Sequence, residues 1–436
     1  MMFYSSARYW LGRRWTPAGR LVLGALGLSA VLGFDTAQSM AYQSFSLLLA
    51  LVVLAVVLNR KFAPSVEFRR ALPRLATAGE GFTYSARVLN AGAEPLNGMT
   101  FIEEVDDPRP SLEQYRALKE LPGENWLERA TGYGRWLKLI ARHRIAEGGQ
   151  KPLPDLPPGE AREVALEMTP ARRGVLRLPA FSLARPDALG VFNAIARFDA
   201  PQHVLVLPKR YPAPRLELSG TRRYQQGGVA LSSTVGDSQE FMALRDYRPG
   251  DPLRRIHWKS WAKTGKPVVK EYEDEYFTRH ALVLDTFAAP GADAVFEDAV
   301  SAAASFACSL LTQESLLDLL FVGEKAYCFT AGRGQGGPET LLEALACAEL
   351  CDEKPFSELT ASVARRRASL SGCLCILLGL DDQRRELVRL LRGSGVPVVV
   401  AVIASAADLP DAVCAAQGVR RLEPGKIAEG LAGMAA

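Results

Sequence analysis

No cysteine precedes Cys308, and the seven present (Cys308, Cys328, Cys347, Cys351, Cys373, Cys375, Cys414) are an odd number crowded into the C-terminal third. That distribution excludes a disulfide framework for most of the chain. Settings such as Cys373-Leu-Cys-Ile-Leu-Leu read as reduced, buried, small apolar residues. Histidine is scarcer: His143, His203, His257 and His280 are scattered. Cys347-x-x-x-Cys351 offers half a metal site with no second pair at zinc spacing, which argues against structural zinc. There is no Walker A loop, no G-x-S-x-G elbow and no zinc His pair. Net charge is nearly missing too. Of 52 Lys/Arg and 48 Asp/Glu, four basic residues and one acid precede Asn59, leaving 48 against 47 beyond it. This balance argues against a nucleic-acid binder driven by bulk positive charge.

Two long apolar runs are present near the start. Leu21 to Phe34 and Phe45 to Leu58 are uncharged, 14 residues each, and extension back to Ala18 and Met40 gives 17 and 19. Those lengths are adequate for membrane spans. Asp35 to Ser39 is the polar stretch between them. Arg8, Arg13, Arg14 and Arg20 precede the first run, and Arg60, Lys61, Arg69 and Arg70 follow the second. The positive-inside rule then places both ends on the cytoplasmic side of a two-helix hairpin. A cleaved signal peptide competes for the first run, but the second run and its trailing Arg-Lys count against it. Trp10 and Trp15 suit an interfacial belt. No ionisable residue interrupts either apolar core, which argues against a transport pathway.

From Val66 to Ile102 short strands alternate with turns at Gly79-Glu80-Gly81 and Asn90-Ala91-Gly92. The pattern resumes at Ala161 to Met168, Gly174 to Leu183 and His203 to Leu207. This spacing predicts a small β-sandwich. A helical insertion interrupts it, over Ser111 to Lys119 and Asn125 to Ile145. Its second helix mixes Trp126, Tyr133, Trp136, Leu137 and Ile140 with Arg and Lys. It reads either as an ordinary helix covering the sandwich, the preferred reading, or as one lying on an anionic bilayer.

The last part alternates differently. Apolar strands at 281–285, 316–322, 326–330, 373–378 and 396–403 are separated by helical stretches at 297–313, 339–350, 356–370 and 383–392. That order predicts a parallel sheet with helices on both faces, whose ligands sit beyond the strand carboxyl ends, near Asp285 and Asp381. Gly332-Arg-Gly-Gln-Gly-Gly337 satisfies G-x-G-x-x-G, but no acid ends a following strand, so it reads as a loop.

The most specific stretch runs from Gly236 to Glu275. Between Arg245 and Lys270 it holds eight Lys/Arg and two acids, interleaved with Tyr247, Trp258 and Trp261, before Glu271 to Glu275 reverse the sign. Pro249-Gly250 suits the centre of a type II turn presenting Tyr247, Arg248 and Asp251. The mixture reads as an ion-pair knot or an anion-recognising surface rather than a solvated charged face.

The pattern Gly236-Asp237-x-x-Glu240-Phe241-x-x-Leu244-Arg245-x-Tyr247-x-x-Gly250-Asp251-x-x-Arg254-x-Ile256-His257-Trp258-Lys259, continuing through Lys263 and Val268 to Glu275, resembles the signature of the DUF58 family. Arg173-Gly174-Val175 through Arg185-Pro186-Asp187-Ala-Leu-Gly-Val-Phe192 resembles that family's upstream segment. The resemblance implies a membrane-anchored α+β multidomain chain. Its parts are a transmembrane hairpin (1–62), a β-sandwich (63–212) with an insertion at about 106–150, the signature (213–279) and a von Willebrand factor A-like α/β domain (280–436). In von Willebrand factor A domains a metal sits on Asp-x-Ser-x-Ser. Here Asp285-Thr-Phe287-Ala-Ala289 keeps the carboxylate and loses both hydroxyls, a poor magnesium site.

The function implied is a scaffold or adaptor on the cytoplasmic side of the inner (plasma) membrane. It would be held by the bilayer through two helices and work with a MoxR-type AAA+ ATPase, with no cofactor and no nucleic acid. Glu240, Arg245, Tyr247, Asp251, Arg254, His257, Trp258 and Lys259 would form either the partner surface or an interdomain knot. Two rival readings are an enzyme acting on an anionic or cell-wall substrate through Asp251, His257 and Lys259, and nucleic-acid binding through 245–270.

Overall fold

The computed structural model describes residues 13–32, 39–59, 62–111, 115–116, 132–214, 216, 218, 241–249, 251, 253, 256–272, 278–288, 292–310, 315–332, 336–351 and 353–435. They fall into two units, 1–209 and 210–436.

The first unit opens with α1 (Pro17–Leu32) and α2 (Ser39–Leu58). Thr16 caps α1: its Oγ1 accepts the Gly19 N–H at 2.9 Å, and Pro17 occupies the first turn, where no amide is needed. Met40–Val57 within α2 is long and apolar enough to cross a membrane; the apolar α1 has 16 residues. At 1.5 Å per residue α1 spans about 24 Å, short of a hydrocarbon core of about 30 Å. The sequence expected two full spans, and one helix of the described residues meets the length.

The base of α1 is bound to the sandwich. Trp15 bridges to Phe192 in backbone and packs edge-on against its ring at 5.2 Å. Thr16 Oγ1 donates to the Gly190 and Val191 carbonyls, and Asn193 Nδ2 donates to the Arg13 carbonyl at 3.2 Å. Arg13 pairs with Glu104 at 2.9 Å. A Cβ on Gly19 would stand 2.0 Å from the Val191 carbonyl oxygen, so only glycine permits this approach. Trp15 is therefore packed against protein, where the sequence had placed it in a membrane belt.

The sandwich comprises β1 (Val66–Ala71), β2 (Leu75–Thr77), β3 (Phe82–Asn90), β4 (Thr100–Glu104), helix α3 (Tyr133–His143), β5 (Gln150–Pro152), β6 (Ala161–Met168), β7 (Gly174–Pro186) and β8 (Asn193–Leu207). One sheet orders β1-β3-β6 and the other β2-β8-β7-β4-β5. Alternate residues of β3 and β6 point into a shared core, where Phe68, Phe101 and Phe181 stack. Strand β8 begins well before the expected His203, since Asn193–Leu207 runs antiparallel along β7 in a long hairpin. In α3, Trp136 and Leu139 are buried, so that face packs on protein while Leu137 is exposed. Packing favours the covering-helix reading over the bilayer one.

The second unit contains a small hairpin and a larger sheet. The hairpin is β9 (Phe241–Asp246), α4 (Trp258–Thr264) and β10 (Val268–Tyr272), with β9 and β10 antiparallel. The sheet follows: β11 (Thr278–Leu284), α5 (Asp293–Leu310), β12 (Ser315–Val322), β13 (Ala326–Ala331), α6 (Pro338–Ala346), α7 (Ser357–Arg366), β14 (Gly372–Leu377), α8 (Asp382–Gly393), β15 (Val398–Ile403), α9 (Asp411–Gln417), β16 (Arg420–Leu422) and α10 (Ile427–Ala432). Strand order is β13-β12-β11-β14-β15-β16, parallel except for the β12–β13 pair. The expectation of an all-parallel sheet is corrected at that edge. Only Gly323, Glu324 and Lys325 separate β12 from β13, and such a link can close only a hairpin. The central strands are buried along their whole length, as a sheet covered on both faces requires. Cys351, Cys373, Cys375 and Cys414 are buried as expected, whereas Cys308 and Cys347 are exposed.

Candidate functional site

The hairpin organises the signature residues around Asp251. The Asp251 N–H donates to the Arg248 carbonyl at 3.0 Å, and Arg248 N–H donates back to Asp251 Oδ2 at 2.8 Å, so the two residues close on each other. Arg245, on β9, forks onto the same carboxylate with two bonds of 2.7 Å. These bonds, the Arg245 guanidinium first, hold the Asp251 carboxyl down at about 2. A two-pronged guanidinium–carboxylate bond also fixes orientation, so the turn is set relative to the strand.

Helix α4 is held by backbone rather than by charge. His257 N–H donates to the Val268 carbonyl at 2.8 Å, Ile256 bridges to Val269, and Tyr247 N–H donates to the Pro267 carbonyl at 3.0 Å. The His257 Nδ1 lies 2.6 Å from Ser260 Oγ within the first turn. Gly265, at φ +68°, ends the helix in the left-handed conformation that glycine adopts at least cost. The result is a short helix pinned along β10. It carries Trp258, 62 % exposed, stacked on Trp261 with ring centroids 5.2 Å apart. Lys259, Lys263 and Lys266 are exposed, and no acid lies between Trp258 and Lys270.

The eight expected residues thus separate into groups. Arg245 and Asp251 meet in the knot; Tyr247 joins the ladder through its backbone; His257 is turned to Ser260; Trp258 and Lys259 face solvent. Glu240 and Arg254 lie outside the described residues. Asp251, His257 and Lys259 have no hydrogen bond in common. Trp261, Ser260 and the Arg248 amide complete the arrangement.

Asp285 lies elsewhere, just past β11, fully buried. Its Oδ2 accepts from Arg384 Nε at 2.6 Å and from Leu378 N–H at 2.9 Å, and its Oδ1 accepts from Phe287 N–H at 2.9 Å. Burial pushes its carboxyl upward, and the Arg384 guanidinium opposes that. Arg384 also donates to the Phe287 carbonyl and to Asp381, and it lies over the Phe356 ring at 5.1 Å. Sequence reasoning missed Arg384. Nothing local points to Asp285, because Asp381 and Asp382 already supply the acid that an arginine in the first turn of a helix favours. The Gly332–Gly337 loop follows the antiparallel strand β13 rather than the first strand of a β-α-β unit, unlike a dinucleotide fingerprint.

Residues 243–391 match the family model described as "Protein of unknown function DUF58". The chain is similar to the uncharacterized protein YeaD of Bacillus subtilis, 27 % identical over 196 residues, covering 44 % of this chain and 48 % of that protein. The chain thus spans about half the length of this curated relative. Among solved structures, the CARDB domain of a Pyrococcus furiosus protein is 14 % identical, covers 33 % of this chain and 94 % of its own, and gives a TM-score of 0.18. A β-glucosidase from Listeria innocua in complex with glucose is 10 % identical, covers 33 % of this chain and 16 % of its own, with a TM-score of 0.17. Such scores carry no argument about fold or function. The match over 243–391 contains most of the hairpin and the Asp285–Arg384 pair, so it is this region of the chain that is similar to the DUF58 family.

Proposed function

We propose that this protein is a membrane-anchored docking platform whose α4 face receives a protein partner. The observation that carries the reading is Trp258: a large indole, 62 % exposed, stacked on a second tryptophan on a short helix that also carries the exposed Lys259 and Lys263. Tryptophan left in water at that extent forgoes most of its burial energy, and interface anchors are enriched in this residue type. The lysines favour a partner with an acidic rim. The Arg245–Asp251 knot then serves as the support that holds the face in shape, so the signature divides between a structural half and a displayed half.

The finer parts of the reading belong to the same proposal. Helices α1 and α2 form a transmembrane pair with both chain ends cytoplasmic, the bilayer thinning around the shorter α1, in keeping with the basic residues that flank them. The six-stranded domain is of the von Willebrand factor A kind, and the partner is a MoxR-type AAA+ ATPase, as the family resemblance implies. The enzymatic alternative is less supported, because Asp251 is occupied by Arg245 and His257 by Ser260. The full-length protein in detergent, mixed with a purified MoxR-type ATPase, tests the reading. Capture that is lost in Trp258→Ala with unchanged melting agrees with it, and capture indifferent to Trp258 and Lys259 contradicts it.

A further inference from the structure

Strand order alone locates a second place of interest. From β11 the chain passes through α5 to β12 on one side, while β14 lies on the other side of β11. In doubly wound sheets the crevice beyond the strand carboxyl ends, at such a reversal, is where ligands bind. Asp285 follows β11 and Arg384 lies in the first turn after β14, so both stand at that crevice. It is also the position where the von Willebrand factor A resemblance raised a magnesium ion.

The residues present do not fit a divalent ion. Magnesium and calcium take six or more oxygen ligands. Here positions 287 and 289 are Phe and Ala, and the described residues contain no group of three or more His, Cys, Asp or Glu able to hold a metal. Both Asp285 oxygens are already engaged, by Arg384 Nε, Leu378 N–H and Phe287 N–H. Arg384 is 11 % exposed and spans the gap, reaching the Phe287 carbonyl on the β11 side and Asp381 on the β14 side. The loop beneath is tied down as well: Thr286 Oγ1 donates to the Val322 carbonyl at 2.6 Å, and the Thr286 carbonyl accepts from Cys351 N–H at 2.8 Å.

We infer that Arg384 is the resident cation of this crevice, a guanidinium standing where a divalent ion would bridge the two loops, so that the domain is held together without metal and takes none there. A fixed cation differs from an exchangeable one in a measurable way: chelators and added ions leave it unchanged.

The experiment uses the full-length protein in detergent. Manganese titration followed by electron paramagnetic resonance is expected to show no stoichiometric site that depends on Asp285, and magnesium or EDTA is expected to leave the melting temperature in place. Arg384→Ala is expected to melt roughly 10 °C lower, because it strands a buried carboxylate. Arg384→Lys should recover part of that loss. Manganese bound at one equivalent by the wild-type protein and lost in Asp285→Asn would overturn the inference. So would an Arg384→Ala variant that melts with the wild type.

Discussion

The hairpin and the six-stranded sheet each contain an arginine–carboxylate pair, and the two pairs behave differently. Asp285 is buried completely, and its partner Arg384 ties together loops from two strands. Asp251 remains accessible, and Arg245 and the Arg248 amide hold it within one turn. In the sheet the polar pair closes the edge where a ligand would bind. In the hairpin it shapes a turn beside an exposed aromatic face. A run of charge in a sequence therefore carries at least two meanings, and burial decides which applies. Desolvation makes each partner indispensable to the other in the first case, whereas water screens both in the second.

Substitutions should break this contrast in order of size. Asp285→Ala leaves a guanidinium without its buried acid and is expected to cost about 3–5 kcal/mol, read from denaturant unfolding of the second unit. Trp258→Ala is expected to change stability by less than about 0.5 kcal/mol, as exposed positions do, while weakening partner binding by about 2 kcal/mol or more. Calorimetry and a binding titration on the same preparation separate those two quantities. Arg245→Ala removes the fork on Asp251. Hydrogen exchange should then quicken at the 248–251 turn with little movement of global melting.

The smallest effect is in pH. The folded Asp251 carboxyl is lowered from its ordinary 3.8 to about 2, so its contribution is complete above pH 3.8 and is lost as pH falls through 2. An acid titration of hairpin tryptophan fluorescence should show that step in the wild type and lack it in Asp251→Asn. A hairpin transition between pH 5 and 7 instead would assign the control to another group.

Much of the fold was legible because periodicity reports burial. The continuous apolar runs around Val283, Leu319 and Ile376 announced central strands, and the alternation from Phe82 to Leu89 announced a half-buried one. The hairpin was not read as strands, since Phe241–Asp246 and Val268–Tyr272 are short and heavily charged and their pairing depends on a turn and a helix between them. The Arg245–Asp251 partnership was half legible: charge pattern put the residues together but left open whether they face each other or a partner. Arg384 was out of reach of motif reasoning because its partner lies 99 positions away, joined only by strand order. The socket for Trp15 was hidden likewise. Nothing local to Asp187–Phe192 announces that its carbonyls receive Thr16 and Asn59.

The central claim is that the α4 face binds while the Arg245–Asp251 knot only supports. Affinity of the detergent-solubilised protein for a purified MoxR-type ATPase, measured in parallel for wild type, Trp258→Ala and Arg245→Lys, tests it most directly. The account predicts that binding falls at least tenfold with Trp258→Ala, at unchanged melting temperature, and is retained with Arg245→Lys. Equal affinity for wild type and Trp258→Ala would contradict it.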